Sequence, residues 1–309
     1  MISMEYIRET ADFKIEKDTV LTLGKFDGIH KGHRKLIDTV LSKAYENNMY
    51  SAVFTFNIAP SFAIKDDKHR LLTTNEEKRE VFEKKGIDYL IEYPFSKETA
   101  SMEPEDFIKK VIKDRINAKI VVAGTDFHFG HNREGDVTLL EKLQDKYDYK
   151  LIVVEKAKYD KEEISSTLVR RFLQAGDIRM VNELMGEPFF IREKIIHGNE
   201  IGRTINIPTI NMRPANIKLL PPNGVYASTV NIDGKCYKSA TNKRYKPTVE
   251  NIKVMGVETY IIDYDGDLYD RILDVCLYDR IREERKFNSL DELAKQMQND
   301  IQKTKLIDI

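Results

Sequence analysis

At 309 residues the chain exceeds the length that one hydrophobic core commonly serves, so two domains of roughly 150 residues are expected. Charged residues make up 33% and hydrophobic ones 41%, which excludes a disordered chain and leaves enough apolar material for packed cores. Fifty basic residues against 51 acidic ones give a net charge of -1, so no global field draws the chain to nucleic acid or to an anionic membrane, and any phosphate site must be local.

The opening segment MISMEYIRETADFKIEKD carries charge by Glu5 and lacks the apolar core of a signal peptide, and no later run reaches the length of a membrane helix. A cytoplasmic protein is expected. From Thr19, VLTLGKF reads as a buried strand, after which Leu36, Ile37, Val40, Leu41 and Ala44 fall at helical spacing. The unit recurs as SAVFTF with EEKREVFEKKG, DYLIEYPF with PEDFIKKVIKDRIN, and AKIVVAG with LLEKLQDKYD, before a last strand KLIVVEK. Such alternation predicts a parallel sheet covered on both faces.

After a helical stretch, SSTLVRRFLQAGDIRMVNELMG, the pattern changes at about Pro188 to short strands such as GVYASTVNID, ETYIIDYDG and LDVCLYD, separated by Gly and Asn/Asp turns. The expected fold class is α/β: a Rossmann-like parallel-sheet domain over 1–185, then a small β-barrel domain with a C-terminal helix over 186–309. Ser289 followed by Glu292 predicts a capping box at the head of that helix. Cys236 and Cys276 lack the spacing of a zinc site or a redox pair and are expected to be reduced core thiols.

The sharpest feature is GKFDGIHKGH, Gly24 to His33, where the first long strand hands over to its helix. In an open parallel sheet ligands bind at the carboxyl ends of the strands, and a helix N-terminus there offers N–H groups and a positive dipole end to a phosphate. His30 and His33 share a face of the first turn, so both can donate hydrogen bonds to a triphosphate and stabilise charge on departing pyrophosphate. Gly24, Gly28 and Gly32 are expected to let a nucleotide approach the backbone. No GxxxxGK[ST] is present, so the phosphate device is not a P-loop.

This segment resembles the HxGH signature of the nucleotidyltransferase superfamily, and its longer form GxFDGxHxGH resembles the prokaryotic bifunctional riboflavin kinase/FAD synthetases. Further similar blocks follow in that family's order: GTDFHFG at 124, ISSTLVRRFLQAGDI at 164, HGNEIGRTINIPTIN at 197, GVYA at 224, PTV at 247, VETYIIDYDGDLY at 257 and KFNSLDELAKQMQND at 286.

The resemblance implies an FMN adenylyltransferase (FAD synthetase) domain over 1–185 and a riboflavin kinase-like domain over 186–309. ATP and Mg2+ would serve both, with riboflavin and FMN as substrates and FAD as product. The partners implied are small-molecule nucleotides and flavins, with neither nucleic acid nor membrane. Nucleotide contacts are implied for Gly24, Phe26, Asp27, Gly28, His30, His33, Ser165, Ser166, Thr167 and Arg170, and flavin contacts for Asp126, Phe127, Phe129 and Arg282. Thr209 and Asn211 would hold Mg2+ and ATP phosphate oxygens, and Glu258 would be the general base for the riboflavin hydroxyl.

Departures from the family pattern bear on the expectation. Asn57, Ile58 and Ala59 stand where a proline and histidine are usual, and His128 where arginine is usual. Glu193, Asn206, Arg244 and Asp270 occupy usual glycine positions, where a side chain costs strain or blocks a site. Four such changes imply altered or lost kinase activity, although Thr209, Asn211 and Glu258 are kept. Four readings follow: an FAD synthetase with an impaired kinase module, an enzyme active in both steps, a nucleotidyltransferase acting on another phosphorylated substrate, which a flavin-binding β module disfavours, and a regulatory flavin binder without turnover. The intact HxGH and SSTxxR blocks argue against the last.

Overall fold

The computed structural model describes residues 4–57, 70–198, 202, 207–247 and 253–309. It divides into two compact units, 1–165 and 166–309, so the first unit ends before the boundary at 185 expected from the change of pattern.

In the first unit, β1 (Glu5–Arg8), β2 (Thr19–Leu23), β3 (Tyr50–Phe56), β4 (Tyr89–Tyr93), β5 (Ala118–Gly124) and β6 (Lys150–Val154) form one parallel sheet in the order β1-β4-β3-β2-β5-β6. Every residue of β2 is buried, as a central strand covered on both faces requires. One face packs Leu21, Leu23, Phe54 and Val121 against Phe107, Ile108, Val111 and Leu140. The other is covered by α1 (Lys31–Glu46) and α2 (Asn75–Lys85), which bury Ile37, Val40, Ala44 and Phe82. Leu36 and Leu41 pack at the margins of these clusters, in line with their helical spacing. Helix α2 starts on a full capping box, Thr74 with Glu77, and stops at Gly86 in the left-handed conformation. The predicted helix over PEDFIKKVIKDRIN is a helical turn, Pro104–Phe107, that widens into a π-helix over Ile108–Lys113. Helix α3 (Val137–Tyr147) precedes β6, and a short hairpin, β7 (Lys158–Tyr159) and β8 (Glu162–Glu163), follows it.

The second unit opens with α4 (Ser166–Ala175) and α5 (Ile178–Met185), split at Gly176, whose φ is 82°. Helix α5 belongs with the strands that follow: Asn182 donates to the Leu277 carbonyl and accepts from the Phe189 N–H. Strands β9 (Phe189–Lys194), β10 (Ile210–Met212), β11 (Gly224–Ile232), β12 (Lys235–Pro247), β13 (Lys253–Ile261) and β14 (Ile272–Glu283) form an antiparallel sheet in the order β10-β13-β12-β11-β14-β9. A bridge between Ile196, just past β9, and Asn211 in β10 joins the two edges and curls the sheet toward a barrel. The chain ends in α6 (Leu290–Leu306).

Two details differ from expectation. Ser289 caps α6 by accepting from the Glu292 N–H, but the Glu292 carboxylate accepts from the Asn288 N–H instead of that of Ser289, so the capping box is half formed. Cys236 is exposed because it lies next to the β11–β12 hairpin turn, and Cys276 is half-buried, so neither is the core residue expected.

Candidate active sites

The order of the parallel sheet reverses at β2: β3, β4 and β1 lie to one side and β5 and β6 to the other. That reversal opens a crevice beyond the carboxyl ends of β2 and β5, where open α/β sheets bind ligands. Strand β2 runs directly into Gly24–His33 and β5 directly into Thr125–Gly130, so two motifs separated by some ninety residues of sequence meet at one edge of the sheet.

The first loop is tightly built. Asp27 Oδ1 accepts from the N–H groups of Leu72 (2.8 Å) and Thr73 (3.2 Å), while Thr73 Oγ1 accepts from the Gly28 N–H at 3.1 Å. Phe26 and Ile29 have positive φ, 49° and 31°, and both are buried, Phe26 edge-on against Phe82. The Phe26 ring is therefore core, which leaves its backbone for a ligand. Gly28 has φ 87° and a Cβ there would lie 2.8 Å from Leu72, so glycine is required twice over. At Gly24 and Gly32 the space beside the backbone is taken by the rings of Phe26 and His30.

His30 is the N-cap of α1, and its Nδ1 accepts from the His33 N–H at 3.4 Å. This fixes the neutral tautomer with the proton on Nε2. The two imidazoles stack at 3.8 Å, and His33 Nδ1 is buried with no hydrogen-bond partner among the described residues. Burial pushes His30 down to about 4, against weaker opposing pulls from Asp27 and Asp126. Burial first, with smaller contributions from neighbouring His30 and Lys78, holds His33 well below the usual histidine range. Both are neutral at pH 7, so they offer directed N–H groups, and the positive potential comes from the helix terminus and nearby cations.

In the second loop Asp126 pairs with Lys156 at 3.0 Å, and its carbonyl faces His128 Nδ1 at 2.8 Å. Phe127 and Phe129 stack at 5.5 Å, and Phe129 also packs on Phe107 within the core. Asn57 ties the ends of β3 and β4, its Oδ1 accepting from the Phe95 N–H and its own N–H donating to Tyr93. Ile58 and Ala59 lie outside the described residues. Ser165 is the last residue of the first unit, while Ser166, Thr167 and Arg170 lie in the opening turns of α4 in the second. Lys25 and Lys78 escaped the sequence reading. Burial lowers the basicity of both; Lys25 also feels Arg133, and Lys78, 5% exposed, feels Glu92 and Asp27. Nothing in EEKR separates a buried lysine from a solvated one.

In the second unit the site lies on a sheet face. Strand pairing aligns Asn211 with Glu258, Glu258 with Asn242, Asn242 with Val225, and Val225 with Arg282, a single row across five strands. The row floors a cavity of about 750 Å³ that Thr209, Arg244 and residues of α6 also line. Asn211 is 8% exposed and its Nδ2 donates to the Thr209 carbonyl. Arg282 is gripped by Asp300 of α6, with Nε at 2.9 and 3.0 Å from the two carboxylate oxygens and Nη2 at 2.8 Å. Asp300 in turn accepts from Gln296. Arg244 donates to Glu258 Oε1 at 3.2 Å. Asn242 and Asp300 were not anticipated; the strand register reveals Asn242, and the packing of α6 on Arg282 reveals Asp300.

Of the usual glycine positions, Asp270 alone among the described residues has a left-handed φ, 63°, and it pairs with Lys194 at 2.7 Å. Glu193 and Arg244 lie in extended strands without such strain, and Glu193 accepts from the Ala215 N–H. Asn206 lies outside the described residues.

A family model for FAD synthetase matches residues 12–168, and one for riboflavin kinase matches 185–307. A bifunctional riboflavin kinase/FMN adenylyltransferase of Bacillus subtilis (strain 168) is 36% identical over 290 residues, 92% of this chain and 90% of that one. The chain belongs to the bifunctional riboflavin kinase/FMN adenylyltransferase family. The member from Escherichia coli (strain K12) is 34% identical over 287 residues, covering 92% and 91% of the two chains. A crystal structure from Streptococcus pneumoniae, described as a macrolide-efflux protein, superimposes with a TM-score of 0.86 at 31% identity, over 99% of this chain and 100% of that one. Among the described residues of this family member, no helix is long and apolar enough to cross a membrane.

Proposed function

We propose that the first unit transfers AMP from ATP to FMN, giving FAD and pyrophosphate, and that the second carries a riboflavin kinase site of reduced competence. The observation that carries the first half is the meeting of the His30/His33 pair and the Asp126–Phe129 loop where the sheet order reverses. An oxygen of the FMN phosphate attacks the α-phosphorus of ATP in line, and the bond to the bridging oxygen of pyrophosphate breaks. Nε2–H of His30 donates to a phosphate oxygen, His33 supports it from the next turn, and the α1 N-terminus faces the charge that builds on the leaving group. Ser165, Ser166, Thr167 and Arg170 are assigned as further phosphate contacts, as the family resemblance implies. Gly24, the Phe26 backbone, Asp27 and Gly28 shape the nucleotide loop, and Asp126, Phe127 and Phe129 border the flavin. We assign residues 1–185 to this activity and 186–309 to the kinase.

In the kinase cavity Glu258 accepts the proton of the riboflavin hydroxyl as its oxygen attacks the γ-phosphorus of ATP; the bond from that phosphorus to the β–γ bridging oxygen breaks, and FMN and ADP form. Thr209 and Asn211 present oxygen donors of the kind Mg2+ prefers, and Arg282 borders the flavin. Thr209 and Asn211 would hold Mg2+ together with oxygens of the bound ATP phosphates. Mg2+ supplies neutralisation of charge on the transferring phosphoryl group. A cytoplasmic location and small-molecule partners, without nucleic acid, fit a balanced net charge of -1.

The ordinary bifunctional reading has one observation in its favour: Asn211 and Glu258 stand side by side in the cavity, as turnover needs. The test is to incubate the protein with ATP and Mg2+, with FMN in one reaction and riboflavin in another, and separate the flavins. FAD from FMN, with slow or no conversion of riboflavin, is expected. Riboflavin and FMN consumed at similar rates would favour full bifunctionality, and no product in either reaction would sink the catalytic assignment.

A further inference from the structure

Arg244 sits on β12 opposite Gly256 of β13, a partner with no side chain. Its guanidinium can therefore lean diagonally along the face to Glu258, two residues further along β13. It does so, with Nη2 3.2 Å from Glu258 Oε1, and the two side chains are 36% and 18% exposed. Arg244 Nε is buried and has no hydrogen-bond partner among the described residues. The guanidinium is thus not held by a second acceptor at Nε, and its contact with Glu258 is the one this geometry favours.

The consequence follows from the role assigned to Glu258, on which this inference rests. A carboxylate that must accept a proton from an incoming hydroxyl is here already engaged by a cation, and a charge-assisted hydrogen bond of this kind must be displaced before the hydroxyl can take its place. Glu258, 18% exposed, is partly shielded from water, whereas Arg244, 36% exposed, leaves its side of the pair open to solvent screening. Arg282, in the same row as Glu258, is not available to take the place of Arg244, because Asp300 grips it through three contacts.

We propose that Arg244 is a latch on Glu258, a positioning residue that holds the kinase base out of action and sets the low rate of riboflavin phosphorylation. Replacing it frees the carboxylate without touching any group assigned to substrate. The experiment measures kcat and KM for riboflavin phosphorylation in the full chain and in Arg244→Gly, Arg244→Met and Arg244→Lys. Gly removes the whole side chain, Met keeps the aliphatic stem without charge, and Lys keeps the charge. Loss of one charge-assisted hydrogen bond corresponds to a rise in kcat of about tenfold or more for Gly and Met, with KM for riboflavin little changed and Lys near the wild-type rate. A rate that falls or stays level in both Gly and Met overturns the latch, a fall being the result expected if Arg244 instead binds phosphate. Met guards the test should Gly fail to fold. Glu258→Gln tests the underlying role separately: if it phosphorylates riboflavin as the wild type does, the assignment of the base fails, whatever the Arg244 variants show.

Discussion

The two candidate sites are built in opposite ways. In the first unit the chemistry sits on loops at the ends of parallel strands, each loop contiguous in sequence, and its histidines are held neutral by burial. In the second it sits on the face of an antiparallel sheet, in a row that crosses five strands, and its principal groups are charged and paired. A loop site concentrates its signal in a few neighbouring residues, whereas a sheet-face site scatters it along the chain and depends on register.

The largest effect that separates them is expected at Asp300. It is 2% exposed and holds Arg282, so Asp300→Ala leaves a largely buried guanidinium without its carboxylate and should cost about 3–5 kcal/mol. Thermal or denaturant unfolding should show the loss in the second unit; an unchanged midpoint would mean the pair is dispensable and that site less tightly built than its geometry suggests.

The first site should instead reveal itself through pH. The folded-state value of His30, about 4, lies below the unfolded value near 6.5, so below pH 6.5 the unfolded chain binds the extra proton. The stability that this group contributes is complete above that range and is lost as pH falls from about 6.5 to about 4. Between pH 7 and 5 the first unit should lose about 2 kcal/mol from His30 alone. Phosphate ligands favour the charged form, so ATP binding near pH 5 should be accompanied by proton uptake, measurable by calorimetry in buffers of different ionisation enthalpy. Uptake that is absent, with melting independent of pH, would contradict the neutral pair.

The smallest effect concerns α6, which covers the second site. Ser289→Ala removes an N-cap whose reciprocal bond is only half made, and should cost about 1 kcal/mol in unfolding experiments. A larger loss would mean that the cap also anchors the cavity wall.

Legibility in the sequence follows the same division. Alternation of apolar runs and helical spacing predicted β2 to β6 and the helices between them, and the Gly24–His33 segment lies at the strand-to-helix junction expected for it. Strand β1 was not foreseen because its four residues, EYIR, form an exposed to half-buried edge without a clear apolar pattern. Strands β9, β10 and β12 were missed for a related reason: β12 runs KCYKSATNKRYKP, in which polar residues serve both a buried hydroxyl network, Ser239 and Thr241, and the cavity floor, Asn242. No hydrophobic alternation survives such use. The ion pair between Arg244 and Glu258 depends on a diagonal between β12 and β13, which no local pattern encodes.

The most direct test of the account is FAD formation from FMN and ATP by His33→Ala and His30→Ala. Each variant removes a preorganised donor from the leaving-group site, and the rate should fall about 100-fold while the protein stays folded, as judged by circular dichroism. A rate within a few-fold of wild type in both variants would contradict the placement of adenylyl transfer at the crevice beyond β2 and β5.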